Sequence, residues 1–166
     1  MKREDLLLFY EYNYWATGKI LASGSNLSQE QFTLESSFGH GSVRSTLVHI
    51  LSAEWVWRIR CQHDESPSSL LDEDHYPTVE ALRNRWLDEQ KTMWGYLAGL
   101  RDEDLDRVVH YQRTGGQPEK NVLWHLLMHV VIHGAEHRSE VAALLTDFGN
   151  SPGDLDLIHF LRDRGA

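Results

Sequence analysis

The chain has 166 residues, enough for one domain over 1–166 with a sizeable core and no covalent staples. Its 25 acidic against 16 basic residues give a formal charge of −9, which offers no electrostatic footprint for a nucleic-acid backbone or an anionic membrane. A single cysteine, Cys61, excludes an internal disulfide and a cysteine-rich zinc site. The opening MKREDLLLFYEYNYW has too short an apolar run for a signal peptide and no segment approaches a membrane span, so a cytoplasmic protein is expected.

Taken in order, Asp5 to Ala22 carries Leu6, Phe9, Tyr10, Asn13, Thr17, Ile20 and Leu21 at helical spacing, with Gly24 as a stop. Ser25 to Gly41 is polar and turn-rich, and Ser28 with Gln31 forms a capping pair for a short helical turn. A second long helix, Ser42 to Gln62, starts on Ser42 as N-cap and contains His49 in the row Thr46, His49, Ala53, Trp57. His63 to Pro77 reads as a solvated connection, with His63 and His75 in water. The third long helix runs from Thr78 through Leu82, Trp86, Met93 and Leu97 to Leu100, with its charges on an ordinary exposed face. Between Arg101 and Lys120 a short alternating run meets Gly115-Gly116, a weak hairpin signal and no convincing sheet.

The fourth long helix, Asn121 to Phe148, places His125, His129, His133 and His137 four residues apart. With His129 as zero and about 100° per residue, Val122, Leu126, Val130, Val141, Leu144 and Leu145 fall between roughly 20° and 160°. His133 and His137 lie within that stripe at about 40° and 80°, His129 at its edge and His125 outside it. Imidazoles aimed at a core need hydrogen-bond partners or a metal, so two readings stand: paired core histidines, or an i, i+4 chelate. HGAEH is not the HExxH of zinc proteases, because Glu136 precedes the second histidine and Gly134 stands where the base would be. Gly149 ends the helix, and Leu155 to Arg162 forms a short final helix. These elements predict an all-α chain folded as a four-helix bundle, an architecture whose interior can hold metal ligands.

The motifs YNYWA, TLVHILSAEWVW, HxxxHGxxHR and SPGDLDLIHFL, in this order over nearly the whole chain, resemble those of the DinB/YfiT-like bacterial proteins. That resemblance implies up-down-down-up helix order, a homodimer, and one divalent metal held by His49, His133 and His137. Zinc and nickel suit imidazole best, with iron and manganese also compatible. Three imidazoles leave a coordination position open, as a catalytic site requires. Glu140, at about 20° on the same wheel, is a candidate second partner of a ligand, an extra ligand or a base. Tyr10, Asn13, Trp57 and Glu140 are candidate pocket residues, each with an alternative reading as packing or surface.

Characterised relatives of this kind include transferases that use low-molecular-weight thiols such as bacillithiol or mycothiol. The resemblance therefore implies a metal-dependent enzyme of small-molecule metabolism, with a metal-dependent hydrolase or a non-catalytic stress-response protein as the rival classes. A free imidazole has a pKa of about 6.5, so protons are expected to displace the metal below roughly pH 6.

Overall fold

The computed structural model describes residues 1–165. Four long helices dominate it: α1 (Arg3–Gly24), α3 (Val43–His63), α4 (Val79–Ala98) and α5 (Leu123–Asp147). Two short helices, α2 (Gln29–Thr33) and α6 (Leu157–Gly165), accompany them, with single 3-10 turns at Glu73–His75 and Asp102–Asp106. Side-chain oxygens cap three of the N-termini where the sequence places them. Ser28 accepts from the Gln31 amide, Ser42 from Ser45 and Thr78 from Ala81, each satisfying a backbone donor that the helix itself leaves unpaired. At the other end of α5, Gly149 adopts φ 75°, a conformation that costs glycine nothing.

The weak hairpin signal proves to be a real two-stranded antiparallel sheet, β1 (Val108–Gln112) and β2 (Pro118–Val122), in register from Val108 opposite Val122 to Gln112 opposite Pro118. Gly116, at φ 84°, makes its turn, and Arg113 and Gln117 close it with an N–H···O bond of 2.8 Å. The all-α expectation thus gains one small sheet, at the place of the hairpin signal. The strands are short, and β1 turns only Val109 fully inward, too little alternation to read as a strand with assurance of a partner.

α5 packs on α1 and on α3, and α4 packs on the same two helices. Two apolar layers result. One contains Leu6 and Tyr10 of α1, Cys61 of α3, Met93 and Leu97 of α4, and Leu123, Leu127 and Val131 of α5. The other contains Ile20, Leu47 and Leu51, Leu82 and Trp86, and Val141 and Leu145 from the same helices. Chain order through these layers shows α1 and α5 running one way, α3 and α4 the other.

Between the layers every long helix contributes buried polar side chains: Asn13 and Thr17, Glu54 and Arg58, Glu89, and Arg138. Arg58 grips Glu89 through Nε and Nη2, and Arg85 donates to the same carboxylate at 3.1 Å. Arg138 donates to Asn13 Oδ1 at 2.6 Å, and Tyr14 donates to Glu54 at 2.5 Å. Gly134 leaves room for this pair: a Cβ there would lie 2.7 Å from Arg138 Nη1 and 3.1 Å from Asn13 Oδ1, so one of the two would have to shift. The charges of α4 therefore do not all lie on an exposed face, since Glu89 is 1% exposed. Of the two readings open for Tyr10 and Asn13, the structure takes packing. Tyr10 is wholly buried and donates to the Leu127 carbonyl, and Asn13 accepts from Arg138, so neither lines a pocket.

Candidate metal centre

On the α3/α5 side of this polar layer four imidazoles crowd together. His49 comes from α3, His133 and His137 from successive turns of α5, and His40 from the loop that precedes α3. The ring centroids of His49 lie 4.9 Å from His133 and 4.8 Å from His137, while His133 and His137 are 4.4 Å apart. The structure therefore brings together the three histidines expected from the sequence. His125 is exposed, as its wheel position outside the apolar stripe predicts; His129, at the edge of that stripe, is exposed too, and its ring lies 5.2 Å from that of Trp57 and 5.5 Å from that of His133. His63 and His75 are exposed.

His40 is the residue that sequence reasoning missed. Its ring stacks on His49 at 3.7 Å, and ring nitrogens of His40, His49 and His137 all lie within 4.8 Å of one another. The loop is pinned in place by its backbone. The His40 amide donates to Thr46 Oγ1 at 3.1 Å, and Gly39, at φ 63°, packs so closely that a Cβ would meet Thr46 Oγ1 at 2.9 Å and Glu140 Oε2 at 3.3 Å. Glycine is thus needed for both the backbone angle and the close approach. The pair of positive-φ glycines flanking His40 was the one signal in the sequence, and a turn-rich stretch without periodicity gives no way to predict which side chain it delivers.

Glu140 resolves into a supporting position. Its Oε2 lies 2.7 Å from His137 Nδ1, so the carboxylate holds the proton on Nδ1 and leaves the Nε2 lone pair free. The Nε2 atoms of His49 and His133 face each other at 3.0 Å. Burial, reinforced by neighbouring imidazoles, lowers the pKa of His49 to about 4 and that of His133 to about 3, and burial likewise lowers His40 and His129. These side chains are accordingly neutral at pH 7, with lone pairs available.

The donor set fits a divalent cation. Nitrogens bound to a tetrahedral ion at about 2.0–2.1 Å stand about 3.3 Å apart, a spacing that the His49 and His133 nitrogens come near at 3.0 Å and that those of His40, His49 and His137, within 4.8 Å of one another, approach. Neutral imidazoles suit zinc, nickel and iron in the divalent state, and the Glu140–His137 pair is the carboxylate–histidine arrangement that fixes a metal ligand's tautomer.

Fold and site together define a mostly helical protein, with one small two-stranded sheet and a histidine cluster able to hold a metal. The chain belongs to the DinB family, whose model matches residues 1–164. It is similar to Protein DinB of Bacillus subtilis (strain 168), with 26% identity over 161 residues and 92% of each chain covered. Its fold matches that of a DinB-like protein from Bacillus cereus ATCC 10987 with a TM-score of 0.67, at 18% identity, over 93% of this chain and 99% of the other. Among the described residues no helix is long and apolar enough to cross a membrane.

Proposed function

We propose that this protein is a metal-dependent enzyme acting on small molecules, with one divalent ion held by His49, His133 and His137 and with His40 poised as a fourth imidazole on the loop side. The observation that carries this reading is the convergence of ring nitrogens from two helices and a loop, within 4.8 Å of one another for His40, His49 and His137 and 3.0 Å apart for His49 and His133. The proposed frame is a four-helix bundle of α1, α3, α4 and α5 in up-down-down-up order, and the helix directions described above support it. Zinc or nickel is the proposed ion.

When bound, such an ion would supply a Lewis acid able to hold a low-molecular-weight thiol as thiolate near neutral pH. The chain's own contributions are separate from it. Glu140 keeps the His137 proton on Nδ1, α3 and α5 fix the spacing of the rings, and the Gly39–Gly41 loop sets how closely His40 approaches. The reaction proposed is S-transfer to or from such a thiol, in the cytoplasm, by a homodimer associating through helix faces; exposed Leu87 of α4 and Ile132 of α5 support such association.

Elemental analysis of tag-free protein purified without added metal, followed by a thiol-dependent transferase screen, tests the proposal. About one zinc or nickel per chain and thiol-dependent turnover are expected. Metal-free protein whose melting temperature does not respond to added zinc or nickel would overturn it.

A further inference from the structure

The C-terminal half of α3 and the hairpin enclose a cleft of about 640 Å³ lined by Trp57, Arg60, Tyr111, Arg113, Gln117 and Glu119, among others. Arg60 is the unusual member. It is 5% exposed, its Nη2 donates to the Gln112 carbonyl at 2.9 Å, and its Nε is buried with no acceptor. Among the described residues no carboxylate pairs with it. A buried guanidinium is normally paired, because removing it from water without an anion is costly. What surrounds this one instead is aromatic: its carbon centre lies 4.7 Å from the Trp57 ring and 5.2 Å from Tyr111, with the two rings edge to face. The other buried arginine of α3, Arg58, has its Glu89.

We infer that this cleft is a binding site for a carboxylate-bearing small molecule with a flat or apolar body, the carboxylate completing Arg60 and the body lying against Trp57 and Tyr111. A guanidinium fork matches carboxylate geometry, and stacking on rings holds it in place for that contact. Arg113 at the cleft mouth adds a second positive charge. Glu119, which stands opposite Tyr111 in the sheet register, and the overall charge of −9 both oppose a dianion more than a monoanion. A carboxylate is therefore favoured over a phosphate.

Arg60 follows His49 by eleven positions on α3, about 16 Å at 1.5 Å per residue and within about 20° on the wheel. Cleft and imidazoles thus share one face of the helix, and Trp57 bridges them through its contact with His129. The cleft is placed to take the acidic end of an elongated substrate whose other end reaches the histidines. That last step rests on the metal-site reading; the carboxylate site itself does not.

The test uses metal-stripped full-length protein in chelator, so that it is independent of the ion. Benzoate, benzamide and phenyl phosphate are titrated by calorimetry, and the Arg60 Nε–H resonance is followed by NMR. Benzoate is expected to bind at least about tenfold more tightly than its neutral isostere and to shift the Arg60 resonance, since a charge-assisted pair contributes about 1.5–3 kcal/mol. Arg60→Gln should lose that tenfold preference, Arg113→Gln should lose about threefold, and Glu119→Gln should strengthen benzoate without changing benzamide. Equal binding of benzoate and benzamide by the wild type would overturn the inference with no variant needed. So would an unmoved Arg60 resonance, full benzoate affinity in a folded Arg60→Gln protein, or tighter binding of phenyl phosphate than of benzoate.

Discussion

Two polar regions lie side by side within the helices, and they are built on opposite rules. In the layer between the apolar clusters, Arg58 meets Glu89, Arg138 meets Asn13 and Tyr14 meets Glu54, so that most charge and hydrogen-bonding capacity is answered from within, Nε and Nη2 of Arg138 being the buried exceptions. In the histidine cluster Glu140 answers one nitrogen of His137, while His49 and His133 face only each other. Polar groups that find protein partners stabilise a unique arrangement; imidazoles that meet chiefly one another, one tautomer donating across the 3.0 Å His49–His133 contact, hold nitrogens that a cation can take in place of that hydrogen bond. The difference predicts that damage to the first region shows in stability and damage to the second in metal binding.

The largest effect is expected from Glu89→Ala, which leaves Arg58 buried without its anion. A loss of about 3–5 kcal/mol follows from breaking a buried pair on one side, read from urea unfolding, with metal content per folded chain unchanged. The converse change, His49→Ala or His137→Ala, should weaken metal binding by about 100-fold or more, beyond the 10–100-fold that loss of a supporting partner costs. Competition with a chromogenic chelator measures it, and His125→Ala and His63→Ala should match the wild type. Full affinity in the His49 variant would break the comparison. Glu140→Ala, acting through His137 orientation, should cost about 10–100-fold in the same assay, with Glu140→Gln intermediate because an amide oxygen still accepts the Nδ1 proton.

The smallest effect is a pH slope of opposite sign in the two regions. Burial raises the Glu54 pKa to about 7, above its ordinary 4.5, so the folded state binds the extra proton and stability falls as pH rises from about 4.5 to about 7. The slope is at most about 1.4 kcal/mol per pH unit, and Glu54→Gln should flatten it. The imidazoles behave inversely. His49, lowered to about 4, stays neutral in the fold while the unfolded chain protonates near 6.5, so the metal-free fold loses stability as pH falls through that window. Chemical denaturation of wild type, Glu54→Gln and His49→Ala across pH 4–8 separates the two slopes; one common slope in all three would contradict the assignment.

Much of this was legible in the residues. The long helices follow from apolar periodicity, Ser28, Ser42, Thr78 and Gly149 mark ends that the structure reproduces, and helical spacing alone turns His133 and His137 toward the apolar stripe. His40 was not legible, because its position depends on Thr46 and Glu140, which fold back on it from distant turns. Neither was the polar layer. Glu89 and Arg58 look like ordinary helix charges until four helices are aligned and all four contribute at one level.

The hairpin carries a consequence for how the histidines are aimed. α5 begins on Val122, the last residue of β2, without a side-chain cap, and the Leu123 amide donates to the Arg107 carbonyl at 2.9 Å. The phase of the helix is therefore indexed by strand register, as a gear is indexed by its key. Ten residues further on, about 15 Å along the axis, stands His133. A single residue inserted in β2 would advance every side chain of α5 by about 100° and swing the imidazoles out of convergence, whereas one inserted at the Gly115–Gly116 turn would be absorbed by the loop. A two-stranded sheet with little core of its own thus acts as the timing mark for imidazoles that stand turns away from it.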